Sequence, residues 1–330
     1  MGGVGVRALT GCGCGGGGRA VRYGFVGLGR LGRHLAASLL RAGLPVVVYD
    51  LRSEAMAALV RRGARAAASL AELAAGVEAV ITCLPSPAAT QAVTTELFPH
   101  LAPGSTWIDM STNDPSCVCE LAAGAAARGI ATLEAPVTGG VHKAATGEIT
   151  VLVGGGEELF IRHRPALAAM GSPVLYIGPL GTASTLKLVT NMLALVHLAA
   201  VGEALGLCAR AGIDLATAFA GIRASSGNSF VHETESQVIL AGSYDIGFTI
   251  DLALKDLGLV RKIGHALGVP LLLASLVEER FFEARGRYGG DAFSPMLVRL
   301  LEDALGVELR APGFPASLEP PDEEEAGLRS

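Results

Sequence analysis

The 330-residue sequence is poor in aromatic residues, cysteines and clustered basic charge, and each shortage excludes a class of protein. Aromatic residues make up 5% of the chain, and its net charge of −5 comes without a run of Lys or Arg, which argues against nucleic acid as a partner. Six cysteines are too few for a disulfide framework at this length. Their two Cys-x-Cys pairs lack the spacing of common zinc sites, so we predict no metal site and reduced thiols in a cytoplasmic protein.

Charged residues are also scarce, at 17%, whereas half of the residues are hydrophobic. That composition suffices for a large core, excludes a mainly disordered chain and, at this length, fits about two domains. The longest apolar stretch, residues 188–207, contains Asn191, His197 and Glu203. We therefore predict that it is a buried helix and that the protein has no membrane partner.

Both ends of the chain differ from the rest. Residues 1–20 are rich in glycine and lack the apolar core of an export signal, which we interpret as a disordered leader or a start site placed too early. An organellar transit peptide is the alternative. Residues 313–330 are rich in Pro and acidic residues and are predicted to form a solvated tail.

Between these ends the pattern of the sequence changes near residue 181. Up to that point, short β-branched runs alternate with amphipathic stretches, which predicts βαβ units and a mainly parallel sheet over residues 21–181. A long helix is then predicted over residues 182–211, and only helical periods follow up to residue 312. The expected architecture is an α/β domain linked by this long helix to an all-α domain. A second copy of the chain is one way to cover so apolar a helix.

A glycine-rich turn follows the first predicted strand and opens a predicted helix. It reads G-x-G-x-x-G and consists of Gly27, Leu28, Gly29, Arg30, Leu31 and Gly32. The first glycine permits a tight turn, the second lets the backbone approach a pyrophosphate, and the third lets the helix pack on the strand. The helix N-terminus adds free N–H groups for the phosphates. In this context the motif predicts a Rossmann domain that binds NAD or NADP.

Asp50 ends the next predicted strand, where a carboxylate can accept a hydrogen bond from the 2′-hydroxyl of NAD and repel the 2′-phosphate of NADP. Arg52, two residues later, could instead bind that phosphate, so we favour NAD and keep NADP open. Leu84, Pro85 and Thr112 lie in loops that leave the carboxyl ends of two other strands, where open α/β sheets bind ligands.

Two further motifs carry chemistry. Thr138, Gly139 and Gly140 follow a strand and offer a hydroxyl and bare backbone N–H groups, which suit a carboxylate. Lys187 and Asn191 are four residues apart on one face of the long helix. This favours a positioned proton donor or acceptor, provided that desolvation or another cation lowers the lysine pKa.

Together these motifs resemble the β-hydroxyacid dehydrogenase family over residues 22–312. Four segments coincide in order and spacing: residues 27–32, residues 135–147, the set Gly181, Lys187 and Asn191, and the run Lys255-Asp256-Leu257. The resemblance implies a Rossmann domain, a helical domain, and homodimers or homotetramers built through the helical part.

The resemblance also implies roles for individual residues. Lys187 would be the catalytic lysine, and Asn191 would hold the substrate or that lysine. Thr138, Gly139 and Gly140 would bind the substrate carboxylate, with threonine where the family usually has serine. The cofactor would contact Leu84, Pro85, Thr112 and Lys255, and the loop at residues 225–229 would complete the substrate site.

We therefore expect an NAD(P)-dependent oxidoreductase that moves hydride between the 3-hydroxyl of a small β-hydroxy acid and nicotinamide, with Lys187 as general acid and base. The substrate would be a small carboxylate that resembles 3-hydroxyisobutyrate. Reduction of a semialdehyde (tartronate or succinic semialdehyde) or of an imine with NADPH is an alternative, although imine-reducing relatives generally lack the lysine. A dinucleotide-binding scaffold without activity is a distant alternative.

Overall fold

A computed structural model of the chain describes residues 21–320. The predicted leader at residues 1–20 and the last ten residues of the predicted tail lie outside this range. The described residues form one sheet of nine strands: β1 (Tyr23–Val26), β2 (Val46–Tyr49), β3 (Arg65–Ala66), β4 (Ala79–Thr82), β5 (Thr106–Asp109), β6 (Ala131–Glu134), β7 (Val137–Thr138), β8 (Thr150–Gly155) and β9 (Val174–Gly178).

Six of these strands are parallel and lie in the order β3-β2-β1-β4-β5-β6, which is the order of dinucleotide-binding doubly wound sheets. The predicted fold class is therefore confirmed. Beyond β6 the sheet departs from a parallel arrangement, because β8 pairs antiparallel with both β6 and β7 and parallel with β9. The sequence had indicated only that the sheet was mainly parallel.

Helices cover both faces of the sheet: α1 (Gly32–Arg41), α2 (Ser53–Arg61), α3 (Leu70–Ala74), α4 (Pro87–Leu97), α5 (Pro115–Ala126), α6 (Val141–Thr146) and α7 (Glu157–Met170). Alternate residues of a strand enter different cores, because successive side chains point to opposite faces. In β4, Ile81 belongs to the core beneath α1 and α7, whereas Val80 belongs to the core on the other face. Ile108 and Trp107 divide in the same way in β5.

The second part of the chain is helical: α8 (Thr182–Arg210), α9 (Leu215–Arg223), α10 (Phe230–Ala241), α11 (Ile250–Ala266), α12 (Leu272–Tyr288) and α13 (Arg299–Leu305). They enclose a separate core that includes Leu198, Leu257 and Phe281. Within the region of predicted helical periods, residues 295–305 do not form one continuous α-helix. The structure has a short 3₁₀ helix at Ser294–Leu297, with Pro295 in its first turn, followed by α13.

The long helix α8 is apolar on more than the face it buries in this chain. An 18-residue window of it has a mean hydropathy of 1.8, so its length and composition alone would suit a membrane span, yet only 33% of that window is buried. Core helices of soluble proteins pass the same test, and α8 packs against α9, α10, α11 and α12. Val189, Leu193 and Leu207 nevertheless lie exposed on its outer side.

Candidate active site

The glycine-rich turn between β1 and α1 has the geometry that a dinucleotide needs. Gly27 has a φ of +94°, and a Cβ there would lie 2.4 Å from the carbonyl oxygen of Cys83. A Cβ on Gly32 would lie 2.1 Å from the carbonyl oxygen of Gly27. Nothing lies within 4 Å of the corresponding position on Gly29. The turn is thus crowded towards the sheet and open on its outer side, as close approach of a pyrophosphate requires.

The other members of the turn are placed as follows. Leu28 is buried, and Leu31 packs against the core beneath α1. Arg30 is exposed and reaches into the helical domain, with its Nη1 3.5 Å from Asp245 Oδ1 and its guanidinium carbon 4.9 Å from the ring centre of Phe293. The side chain of Arg30 therefore links the phosphate-binding turn to the second domain.

Asp50 lies directly after β2 and beside this turn. Its Oδ2 accepts a 2.7 Å hydrogen bond from the Leu28 N–H, and its Oδ1 accepts one of 2.9 Å from the Arg52 N–H. The Arg52 side chain is 70% exposed, with Nε 3.7 Å from Asp50 Oδ1. Both groups that the sequence singled out for the adenosine ribose therefore lie at one strand end, with the carboxylate ordered by the backbone and the guanidinium facing solvent.

A buried carboxylate holds the next two loops together. Asp109, at the end of β5, accepts hydrogen bonds from Thr82 Oγ1, Asn113 Nδ2 and the Ser111 N–H. Ser111 Oγ in turn accepts a 2.9 Å bond from the Leu84 N–H. Burial raises the pKa of Asp109, and these bonds oppose that effect. The loops of Leu84–Pro85 and Thr112 are therefore fixed to each other, a role for Asp109 that the sequence analysis did not assign.

Lys187 lies on α8 with only 7% of its surface exposed. Its Nζ donates a 2.7 Å hydrogen bond to Asn191 Oδ1, and Asn191 Nδ2 donates one of 2.6 Å to Asp256 Oδ2. The pKa of Lys187 is lowered to about 8. Burial is the largest cause, the negative charge of Asp256 opposes it, and the positive charge of Lys255 adds to it. An amine with such a pKa can both release and accept a proton near neutral pH.

Lys255 connects this lysine to the loops of the first domain. Its Nζ donates a 3.1 Å hydrogen bond to the carbonyl oxygen of Thr112 and lies 3.1 Å from Asp256 Oδ1. A continuous polar chain thus runs from Thr112 through Lys255, Asp256 and Asn191 to Lys187. Asp256 belongs to the run Lys255-Asp256-Leu257, but its role in orienting Asn191 depends on a contact across 65 residues of sequence.

The predicted carboxylate cradle, residues 138–140, lies against the same helix. Gly139 and Gly140 have φ angles of +130° and +86°, a backbone conformation that favours glycine. Thr138 Oγ1 is 3.5 Å from Oγ1 of Thr190, which lies on α8 between Lys187 and Asn191. The structure therefore brings the cradle and the lysine to one place, as a site for a small hydroxy acid would need.

Comparison with known proteins agrees with this geometry. A profile described as the NAD binding domain of 6-phosphogluconate dehydrogenase matches residues 22–178. A second one, described as NAD-binding of NADP-dependent 3-hydroxyisobutyrate dehydrogenase, matches residues 181–301. The chain belongs to the 3-hydroxyisobutyrate dehydrogenase family. Relatives in this family are NAD(P)-dependent oxidoreductases that act on the CH–OH groups of small hydroxy acids, which confirms the predicted enzyme class and cofactor class.

Individual relatives are similar over nearly their whole length. A 2-(hydroxymethyl)glutarate dehydrogenase of Eubacterium barkeri is 31% identical over 88% of this chain and 98% of its own. An L-threonate dehydrogenase of Escherichia coli K12 is 36% identical over 81% of this chain and 90% of its own. A solved 3-hydroxyisobutyrate dehydrogenase from Salmonella typhimurium is 37% identical, with a TM-score of 0.79 over 85% of this chain and 99% of its own. An imine reductase from Myxococcus stipitatus, 18% identical with a TM-score of 0.58, shows the shared fold alone.

The Asp256 carboxylate provides a test of the lysine environment that needs no substrate. Because its negative charge raises the pKa of Lys187, Asp256→Asn should move that pKa below about 8. The pH dependence of acylation of the Lys187 amine, followed by peptide mass spectrometry, measures the change, since only the neutral amine reacts. Asp251→Asn, which removes an exposed acid from the same helix, is the control and should leave the midpoint unchanged. An unchanged or higher midpoint in Asp256→Asn would contradict this electrostatic assignment.

Proposed function

We propose that the protein catalyses NAD-linked oxidation of the 3-hydroxyl of a small β-hydroxy acid, and the reverse reduction, with Lys187 as general base and acid. The observation that carries the proposal is the position of a buried amine, with its pKa lowered to about 8, between the carboxylate cradle and the loops at the carboxyl ends of β4 and β5. A proton-transfer group works best when its pKa lies near the working pH.

Each residue has a task that follows from its position. The Thr138 hydroxyl and the N–H groups of Gly139 and Gly140 bind the substrate carboxylate. Lys187 takes the hydroxyl proton in the oxidation and returns it in the reduction, while Asn191 holds the amine in place. Residues 27–32 and Asp50 would hold the dinucleotide, whose nicotinamide would supply the acceptor for the hydride of the hydroxyl-bearing carbon.

The substrate class follows from what the named relatives have in common. 2-(Hydroxymethyl)glutarate, L-threonate and 3-hydroxyisobutyrate all carry a hydroxyl on the carbon two bonds from the carboxyl carbon. A cradle for the carboxylate and an amine beside the hydroxyl would suit all three. A buried lysine in this position also favours a hydroxy acid or its semialdehyde over an imine.

A panel of acids tests the reaction and the lysine together. We expect turnover of at least one of 3-hydroxyisobutyrate, L-threonate, serine, glycerate and 4-hydroxybutyrate, followed by nicotinamide absorbance. Lys187→Ala should lower kcat by about 10²–10⁴-fold, as loss of a general acid–base group does. Lys143→Ala removes a partly exposed lysine of α6 that pairs with Glu148, and it should retain wild-type kcat. Near wild-type turnover in Lys187→Ala would refute the assignment, and silence across the panel would favour imine or semialdehyde reduction.

Asp50 provides the test of cofactor preference. We expect the wild-type enzyme to have a higher kcat/KM with NAD than with NADP, because the ordered carboxylate meets the 2′-position of the ribose. Asp50→Asn should shift that ratio towards NADP by about tenfold, since it removes the charge that repels a phosphate. Initial rates with both cofactors measure it. If the wild-type enzyme prefers NADP and Arg52→Ala abolishes that preference, the Arg52 guanidinium rather than the Asp50 carboxylate determines the choice of cofactor.

We also propose that the helical domain joins two or four copies of the chain. Leu272, Leu273 and Leu276 form an exposed apolar strip at the start of α12, with 81%, 66% and 62% of their surfaces accessible. Exposed apolar strips of this kind mark association surfaces. Sedimentation analysis should show a multiple of 33.6 kDa, and Leu273→Glu should lower it. Arg128→Glu, a charge reversal at an exposed position of the first domain, is the control. A wild-type protein that sediments as a single chain at micromolar concentration would contradict the proposal.

A further inference from the structure

The fully buried carboxylate of Glu134 joins the sheet to the helix that carries Lys187. Glu134 ends β6 and is 0% exposed. Its Oε1 accepts a 2.8 Å hydrogen bond from the Ala183 N–H, and its Oε2 accepts bonds from the Ser184 N–H and hydroxyl. All of these donors belong to the first turn of α8, so a side chain 49 residues away acts as the cap of that helix.

This cap replaces one that the helix lacks locally. Gly181 stands at the N-cap position of α8 and provides no side-chain acceptor for the unpaired N–H groups of the first turn. A carboxylate there also meets the positive end of a 29-residue helix. Burial raises the pKa of Glu134, while the hydrogen bonds from Ser184, Ala183 and Gly181 lower it. The groups that oppose the effect of burial therefore all lie at the start of α8.

The carboxylate has little freedom to move. Glu134 stands opposite Gly154 in the antiparallel pairing of β6 with β8. A Cβ on Gly154 would lie 2.3 Å from Glu134 Oε1, so only a residue without a side chain leaves room for the carboxylate. Gly154 on β8 thus leaves space for the Glu134 carboxylate in the position that it occupies.

Glu134 is connected to both parts of the candidate site, the carboxylate cradle and Lys187. In one direction the chain continues from Glu134 through β7 to the cradle at Thr138. In the other, Ala183 and Ser184 lie one turn before Lys187 on the same helix, with all three residues buried. We propose that Glu134 is a positioning residue that fixes the separation between the carboxylate cradle and the Lys187 amine.

This inference rests on the proposed function, because the separation matters only if the substrate spans the cradle and the amine. A misplacement of about 1 Å in such a site can cost about 100-fold in rate, although each half still binds its own group. Loss of the Glu134 contact should therefore act mainly on kcat rather than on binding of the carboxylate.

The experiment compares three variants with the wild-type enzyme. Glu134→Gln keeps the size of the side chain but sets an amide against the N–H donors of α8. Gly154→Ala displaces the carboxylate without altering it. Gly156→Ala is the matched control, because it lies two residues further along with nothing within 4 Å of its added Cβ. For each variant we would measure kcat and KM, the melting temperature, and the calorimetric affinity for isobutyrate, which carries the carboxylate but no hydroxyl.

We expect kcat to fall about 10–100-fold in both Glu134→Gln and Gly154→Ala, with isobutyrate affinity within about threefold of wild type and Gly156→Ala unchanged. A kcat within twofold of wild type in both variants, even with a lower melting temperature, would overturn the inference and leave Glu134 a structural cap. If Glu134→Gln does not fold, Gly154→Ala and the milder Ser184→Ala decide. Failure of the proposed function would look different, since Lys187→Ala would then keep wild-type turnover.

Discussion

The structure depends on keeping one lysine amine almost free of water without isolating it. Burial alone would drive the pKa of Lys187 far down, because desolvation penalises its charged form. The negative charge of Asp256 opposes that penalty, and the positive charge of Lys255 beside it limits the compensation. The outcome is a pKa of about 8, which neither a solvated lysine nor one in a firm ion pair would have. The polar groups around Lys187 are therefore matched in charge as well as in position.

This arrangement also explains why the chain needs two domains in firm contact. The cradle and the cofactor loops lie at the carboxyl ends of strands, whereas Lys187, Asn191 and Asp256 lie on helices of the second domain. A proton-transfer site made from both halves works only if their relative position is fixed. Helix α11 contacts the first domain at two points, because Lys255 donates a hydrogen bond to the Thr112 carbonyl and Lys262 donates one to Asp114. Glu134 accepts a further hydrogen bond from the start of α8.

Local patterns were sufficient to predict the doubly wound fold, the long helix and the Lys187–Asn191 pair, because each depends on residues close in sequence. The antiparallel pairing of β8 was not predicted, since nothing in a short apolar strand specifies its neighbour or direction. The same limit applies to the site. Asp256 and Glu134 act through contacts across 65 and 49 residues. Asp256 lies within a recognised motif and Glu134 directly before one, but nothing in the sequence indicates which distant residue either contacts.

The residues that would determine the class of reaction are buried, whereas the loop that would select the substrate is exposed. Lys187, Asp256 and Glu134 are all buried, so each is constrained by its partners, and replacing one would leave another polar group unpaired in the interior. The loop at residues 225–229 is constrained less, because Ser225 to Asn228 are exposed. The side chains of Ser225 and Asn228 bond to near neighbours, Ile222 and Glu233, and Ser229 caps α10. Packing therefore favours retention of hydride transfer from a β-hydroxy acid, while this loop can change with little cost in stability. We propose that the identity of the acid follows from this loop, which the family resemblance places at the substrate site, and from the methyl group of Thr138.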